Sequence, residues 1–319
     1  MAHTTALGAA RVDEWIVSAG NTLGLARARV WDAIKLRRRL AHPIVLGERK
    51  RLARQLEGGP LSTFIPPATA CRLFDETALP GAAAAVRDAR AILAAWDADP
   101  VANALWGKVE AGEKRPHTFN IMADEDLDRH PDIVAFALSR PVTEAITGYF
   151  GHVPRLRQMG VHITQAEEGG PSLRNAQRLH RDAPDQRSRK LRIFLNLDDV
   201  GPETGPFSFL PLDLSTAALA ATGDEEPTDR SIADRFGSDA FLSLTGPAGS
   251  GVVIDTSRCL HYGGRVSAGR RAVLMLHYTA VPDARVGKPA FEHPRHGRYD
   301  LRRFLTDDPY RRLLLNQHG

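Results

Sequence analysis

Residues 155–165 read RLRQMGVHITQ, and residues 191–200 read LRIFLNLDDV. The first stretch alternates large and small side chains with the two-residue period of a strand. The second is a short apolar run with β-branched and aromatic residues, closed by acids. Outward from this pair, FSFLPL at 207–212, GVVIDTS at 251–257 and RAVLMLHYTA at 271–280 repeat the character, bounded by Gly, Pro, Asp or Ser. Short strands separated by turn residues predict a β-sandwich or barrel. Upstream the period changes. Residues 82–98 put Val86, Ala89, Leu93 and Trp96 at steps of three and four, a helical stripe. Residues 133–150 form a second apolar helical pattern, which Pro141 is expected to interrupt. Helices first and strands after give an α+β reading.

The 319 residues are enough for one large core with additions, and 43% apolar against 25% charged is ordinary for a globular protein. Two cysteines, Cys71 and Cys259, exclude a disulfide framework and a cysteine-built zinc or iron–sulfur site. The first residues lack the basic flank and apolar core of a signal peptide, and no run of 18 apolar residues occurs. The expectation is a cytoplasmic protein without a membrane span. The formal charge is +4 and uneven: residues 26–55 carry ten Lys or Arg against two acids, and the last thirty residues are Arg-rich. Solvated helix faces account for such runs, and so does an anionic partner. The N-terminal run is not interleaved with the aromatic residues that a single-strand binder stacks on.

The chemistry concentrates in QRLHRDAPD at 177–185 and CLHYGGRV at 259–266. His180 and Asp182 are two apart, so on a strand they share a face. His261 follows the strand GVVIDTS and supplies a third ligand. Two His and one carboxylate on one face of an octahedral ion leave the opposite face open, the facial triad of non-haem Fe(II) oxygenases. The same donors also suit zinc. Nine residues on, Arg270 offers a fork that pairs bidentately with a carboxylate. Arg271 is its competitor on the opposite face, and a one-residue slip exchanges the two.

These segments resemble the phytanoyl-CoA dioxygenase-like family. The resemblance rests on Gln177, His180 and Asp182 as Q-x-x-H-x-D, on IFLNLDDVGPETGPFSFLP, on HYGG after the distal His, and on the Arg before R-A-V. It spans about residues 155–281. It implies a double-stranded β-helix, a jelly-roll or cupin-like barrel with flanking helices. It implies Fe(II), 2-oxoglutarate as co-substrate and O₂. Oxidative decarboxylation to succinate and CO₂ is then coupled to hydroxylation, or another hydrogen-abstraction outcome, on a small molecule. Arg270, Gln177 and Asn196 are the expected co-substrate contacts. Asp182 favours hydroxylation over halogenation, because related halogenases carry Gly or Ala there. The chain departs from the family at Pro211-Leu212-Asp213-Leu214, where Pro-Gly-Ser-His is common. Asn196 stands about where an aromatic residue often covers the co-substrate, and Gly263 where Ser often helps to hold it.

The expected organisation is a basic helical N-terminal extension over 1–60, the jelly-roll oxygenase over 61–285 with an insert at about 211–247, and a basic tail over 286–319. The insert contains a helical pattern, DRSIADRFGSDAF. It and QAEEGGPSLRN at 165–175 are lid candidates. Lys114, His117 and Asn120 are candidates for the pocket mouth. Arg192, Gln158 and His162 are candidates for its wall, and His293 and His296 a lone ligand pair. The substrate is expected to be a specialised metabolite, with an anionic or carrier-tethered molecule as the reading the basic segments suggest. A nucleic-acid oxidative demethylase is the alternative drawn from the basic pI, but RRAVLMLHYT lacks that class's second Arg and Asn. A non-catalytic jelly-roll binding protein is the third reading.

Overall fold

A computed structural model describes residues 43–99, 118–166, 173, 175–182, 189–222, 227–281 and 299–315, with isolated positions before 43. Lys114, His117, His293 and His296, and most of 165–175, lie outside the described residues. The described strands are β1 (Cys71–Phe74), β2 (Phe119–Asn120), β3 (Arg155–Gln165), β4 (Lys190–Asn196), β5 (Ser208–Phe209), β6 (Leu242–Ser243), β7 (Gly251–Asp255), β8 (His261–Tyr262) and β9 (Arg270–Thr279). The helices are α1 (Pro43–Arg54), α2 (Ala82–Ala98), α3 (Asp126–Arg129), α4 (Pro131–Ala137), α5 (Arg140–Phe150), α6 (Leu212–Thr222), α7 (Asp229–Phe236) and α8 (Pro309–Leu314).

Six strands form one sheet, in the order β1-β7-β4-β9-β3-β2, and three form a second, in the order β6-β5-β8. Every pairing is antiparallel. The chain is therefore a mixture of helices and antiparallel sheet. β9 lies centrally, hydrogen-bonded to both β3 and β4. Its alternate residues divide between two environments. Ala272, Leu274, Leu276 and Tyr278 are buried on one face, where the Tyr278 hydroxyl donates to the Ala137 carbonyl of α4 at 2.7 Å. Arg271, Val273 and Met275 point into a cavity on the other. Fully burying each leucine stabilises the fold by about 1.5–3 kcal/mol, and Leu276→Ala would cost about 2–5 kcal/mol.

The break in the 133–150 pattern falls before Pro141, not at it. α4 ends at Ala137, and Ser139 caps α5 by accepting from the Val142 amide. Pro141 then sits in the first turn, where its missing N–H costs nothing and its fixed φ suits a helix. The segment after FSFLP is also helical, since Leu212 opens α6 and its amide bonds the Thr69 carbonyl at 2.8 Å. The 211–247 insert thus holds two helices, with α7 started by a Thr228–Ser231 capping box. Buried Leu179, Leu210, Ala218, Ile232 and Leu260 form a small second core under them.

One member of the basic N-terminal run is structural. Arg49 is fully buried and donates to the carbonyls of Val153 and Pro154 before β3 and of Leu313 in α8. A guanidinium that donates to three carbonyls from two segments joins α1 and α8 to the start of β3. Cys71 and Cys259 are buried and free. Among the described residues, no helix is long and apolar enough to cross a membrane.

Candidate metal centre

The backbone brings the three candidate ligands together by two separate dockings. His180 and His261 form an isolated antiparallel bridge in which each amide donates to the other's carbonyl, at 3.0 and 2.9 Å. Directly opposed residues of such a pair put their side chains on one face, and the imidazole centroids lie 4.4 Å apart. Asp182 then docks through its amide to the Thr256 carbonyl at 2.8 Å. A regular strand over 180–182 is therefore not what aligns this pair. One ligand atom from each of His180, Asp182 and His261 lies within 4.8 Å of the others.

The ring nitrogens are sorted by their second contacts. His180 Nδ1 donates to the Arg178 carbonyl at 2.7 Å, and His261 Nδ1 to the Cys259 carbonyl at 2.9 Å. A carbonyl only accepts, so the proton resides on Nδ1 and the Nε2 lone pair faces the site. Burial pushes the His261 imidazole down to about 4, against the pull of Asp182 and with the help of His180. The ring is therefore neutral, as a ligand must be. Burial alone would raise the Asp182 carboxyl, but Arg192, with His261, Lys190 and the Thr256 hydroxyl, holds it well below the usual carboxylate range. The donor set of two imidazoles and one carboxylate fits a divalent first-row metal.

The ligands open onto a cavity of about 240 Å³ whose floor is the inner face of β3, β9 and β4. Gln158 and His162 from β3, Arg271, Val273 and Met275 from β9, and Arg192 and Phe194 from β4 reach into it. Phe207, just before β5, also lines it, its ring 4.7 Å from Phe194 and 5.4 Å from His261.

Of the two adjacent arginines of β9, Arg271, not Arg270, lines this cavity. The register pairs Arg271 with Thr164 and places it on the face of Val273 and Met275. Arg270 turns outward, where it pairs with Asp97 and reaches Asp198 at 3.3 Å. Arg271 is 5% exposed, donates from Nη1 to the Gly205 carbonyl at 3.2 Å, and leaves Nε without a partner. Burial pushes it down only to about 10, so it stays charged at neutral pH. No carboxylate among the described residues pairs with it. An unpaired buried cation is costly, and an anion entering the cavity would relieve that cost.

Two further expectations change. Gln177 is buried but does not line the cavity, and its side-chain amide donates to the Gly264 carbonyl at 2.9 Å, bracing the turn after His261. Asn196 is also buried outside the cavity, with its Nδ2 3.5 Å from the Leu244 carbonyl. The aromatic residue on that strand is Phe194, two positions earlier and on the same face. Asn120, opposite His162 in the register, does not line the cavity; it donates to the Tyr299 hydroxyl at 2.7 Å, and a Cβ on Gly160 would strike it.

No protein-family model matches the chain, and no curated protein does. Solved structures give remote similarities. HygX from Streptomyces hygroscopicus, solved with nickel and 2-oxoglutarate bound, is 16% identical over 69% of this chain and 87% of that one, with a TM-score of 0.42. SnoK, described as a non-heme alpha ketoglutarate dependent carbocyclase from nogalamycin biosynthesis, is 15% identical over 72% and 85%, with a TM-score of 0.42. EctD from S. alaskensis, solved with 2-oxoglutarate and 5-hydroxyectoine, is 14% identical over 77% and 80%, with a TM-score of 0.44.

Proposed function

We propose that this chain is a non-haem Fe(II), 2-oxoglutarate-dependent oxygenase that oxidises a small molecule, built on a double-stranded β-helix. The observation that carries the reading is the unpaired Arg271 guanidinium buried in the same cavity as the His180, Asp182 and His261 cluster. Two His and one Asp alone suit zinc as well as iron. A fixed fork for a carboxylate beside that cluster supplies what an oxo diacid needs and a zinc hydrolase does not. His180 Nε2, His261 Nε2 and one Asp182 oxygen would hold the metal. Arg271 would clamp the distal carboxylate of the co-substrate, the role first expected of Arg270. When bound, Fe(II) supplies the redox chemistry that couples decarboxylation of the oxo acid by O₂ to oxidation of a C–H bond. Phe194, Phe207, Val273 and Met275 would keep the apolar part of the cavity free of water. Asp182 keeps the carboxylate that favours hydroxylation over halogenation.

The test is anaerobic loading with Fe(II) and 2-oxoglutarate, then exposure to O₂ with succinate measured. Succinate release that disappears in His180→Ala supports the proposal. A protein that takes up no Fe(II) overturns it.

A further inference from the structure

The second contacts of Asp182 show a division of labour between its two oxygens. Oδ2 receives the Thr256 hydroxyl at 2.8 Å and the Arg192 Nη2 at 2.7 Å. Oδ1 faces the ligand cluster, 3.9 Å from His180 Nε2. The two donors come from different elements. Arg192 is on β4, with its backbone opposite His277 of β9. Thr256 follows β7, and its carbonyl also receives the Asp182 amide. Arg192 Nη1 also lies 3.8 Å from the Met275 sulfur, while its Nε is buried without a hydrogen-bond partner.

We infer that Arg192, assisted by Thr256, is a positioning residue that occupies Asp182 Oδ2 and so presents Oδ1 alone to the metal. This rests on the metal-centre reading above. A carboxylate free on both oxygens can chelate one ion with both, and that takes a position the co-substrate or O₂ needs. Two charge-assisted or hydroxyl donors on one oxygen make the one-oxygen mode the resting geometry, and they fix the plane of the carboxylate. The arrangement also explains a cation in the wall of a cation site, where it would otherwise weaken metal binding.

That opposition in sign makes the inference testable without activity. If Arg192 were only a nearby positive charge, removing it would tighten binding of a divalent ion. If it positions Asp182, removing it loosens binding. The experiment titrates the full-length apoprotein with Co(II) and follows affinity and the visible absorption of the bound ion. Wild type must bind first: no Co(II) binding there overturns the metal-centre reading itself. Given binding, Arg192→Met is expected to weaken affinity about 10- to 100-fold and to change the visible bands as the carboxylate mode changes. Arg192→Lys is expected to recover part of both, because the ammonium also donates to Oδ2. Thr256→Val, which keeps the shape, is expected to move both readouts in the same direction by less. Thermal melts of the apoproteins identify a variant that does not fold, in which case Arg192→Lys and Thr256→Val decide. Unchanged or tighter Co(II) binding with wild-type bands in the folded variants overturns the inference.

Discussion

His180 and His261 exchange both backbone hydrogen bonds, at 3.0 and 2.9 Å, so their imidazoles are set side by side by main-chain pairing. The pairing needs neither side chain. His180→Ala is therefore expected to keep the fold, with an unchanged circular dichroism spectrum, while losing stoichiometric metal. Metal content after reconstitution checks this. Loss of secondary structure in His180→Ala would show that the imidazole, not the backbone, holds the two segments together.

The two adjacent arginines of β9 should separate cleanly. Arg271→Gln is expected to weaken 2-oxoglutarate binding roughly 10- to 100-fold, the loss of one charge-assisted pair, and to leave metal affinity near wild type. Arg270→Gln removes part-exposed contacts to Asp97 and Asp198. It is expected to cost about 0.5–1 kcal/mol of stability and nothing in co-substrate affinity. Calorimetric titration of both variants reads the difference. The opposite assignment would restore the role first expected of Arg270.

Gly263 borders the Arg271 guanidinium. A Cβ there would lie 3.3 Å from the Phe207 ring and 3.4 Å from Arg271 Nη1. Gly263→Val is expected to crowd the guanidinium and lower 2-oxoglutarate affinity several-fold while metal binding persists. Equal co-substrate affinity in the variant would mean that the diacid does not approach Arg271 from this side.

Acid should destabilise the protein through His152. Its Nε2 accepts from the Val281 amide at 3.0 Å, its Nδ1 faces the Phe150 carbonyl, and burial pushes it from the ordinary 6.5 down to about 4. Above 6.5 neither the folded nor the unfolded state binds the proton. Between 6.5 and about 4 only the unfolded state does, so stability falls as pH falls. Below about 4 both bind it, and the loss levels off at up to about 3 kcal/mol. Buried His277, also held down, adds in the same direction. Urea melts from pH 7 to 4 should show a shallower decline in His152→Gln than in wild type. Parallel curves would remove His152 from the account.

The ligand cluster was legible because its residue types and order are rare together, even though its alignment comes from cross-strand docking. The arginine was legible only as a pair. β9 is buried along almost its whole length, so apolar residues occupy both faces and no polar alternation marks which side meets the cavity. Parity could then be read only from the register with Thr164. Asn196 came from the family pattern and not from parity: Phe194, two residues earlier on the same face, is the one that lines the cavity. Arg192 gave a weaker signal still. A charged residue opening a strand looks like an ordinary edge, and only the fold brings it to Asp182. The Gln177 expectation came from its place in the motif, while its side chain serves the Gly264 turn. The helix over Leu212–Thr222 was hidden by the leading FSFLP, whose apolar run reads as strand to its end.

The Arg49 anchor has a consequence for synthesis order. Its three carbonyl partners lie 104, 105 and 264 residues later in the chain. At about 5–20 residues per second, the ribosome delivers the last of them roughly 13–50 s after Arg49 itself. Until Leu313 emerges, the guanidinium has only part of its acceptor set, and the nascent chain must carry α1 incompletely seated. Closure of this corner is thus a late event in the life of each molecule, after the sheet that bears the ligand cluster has been made.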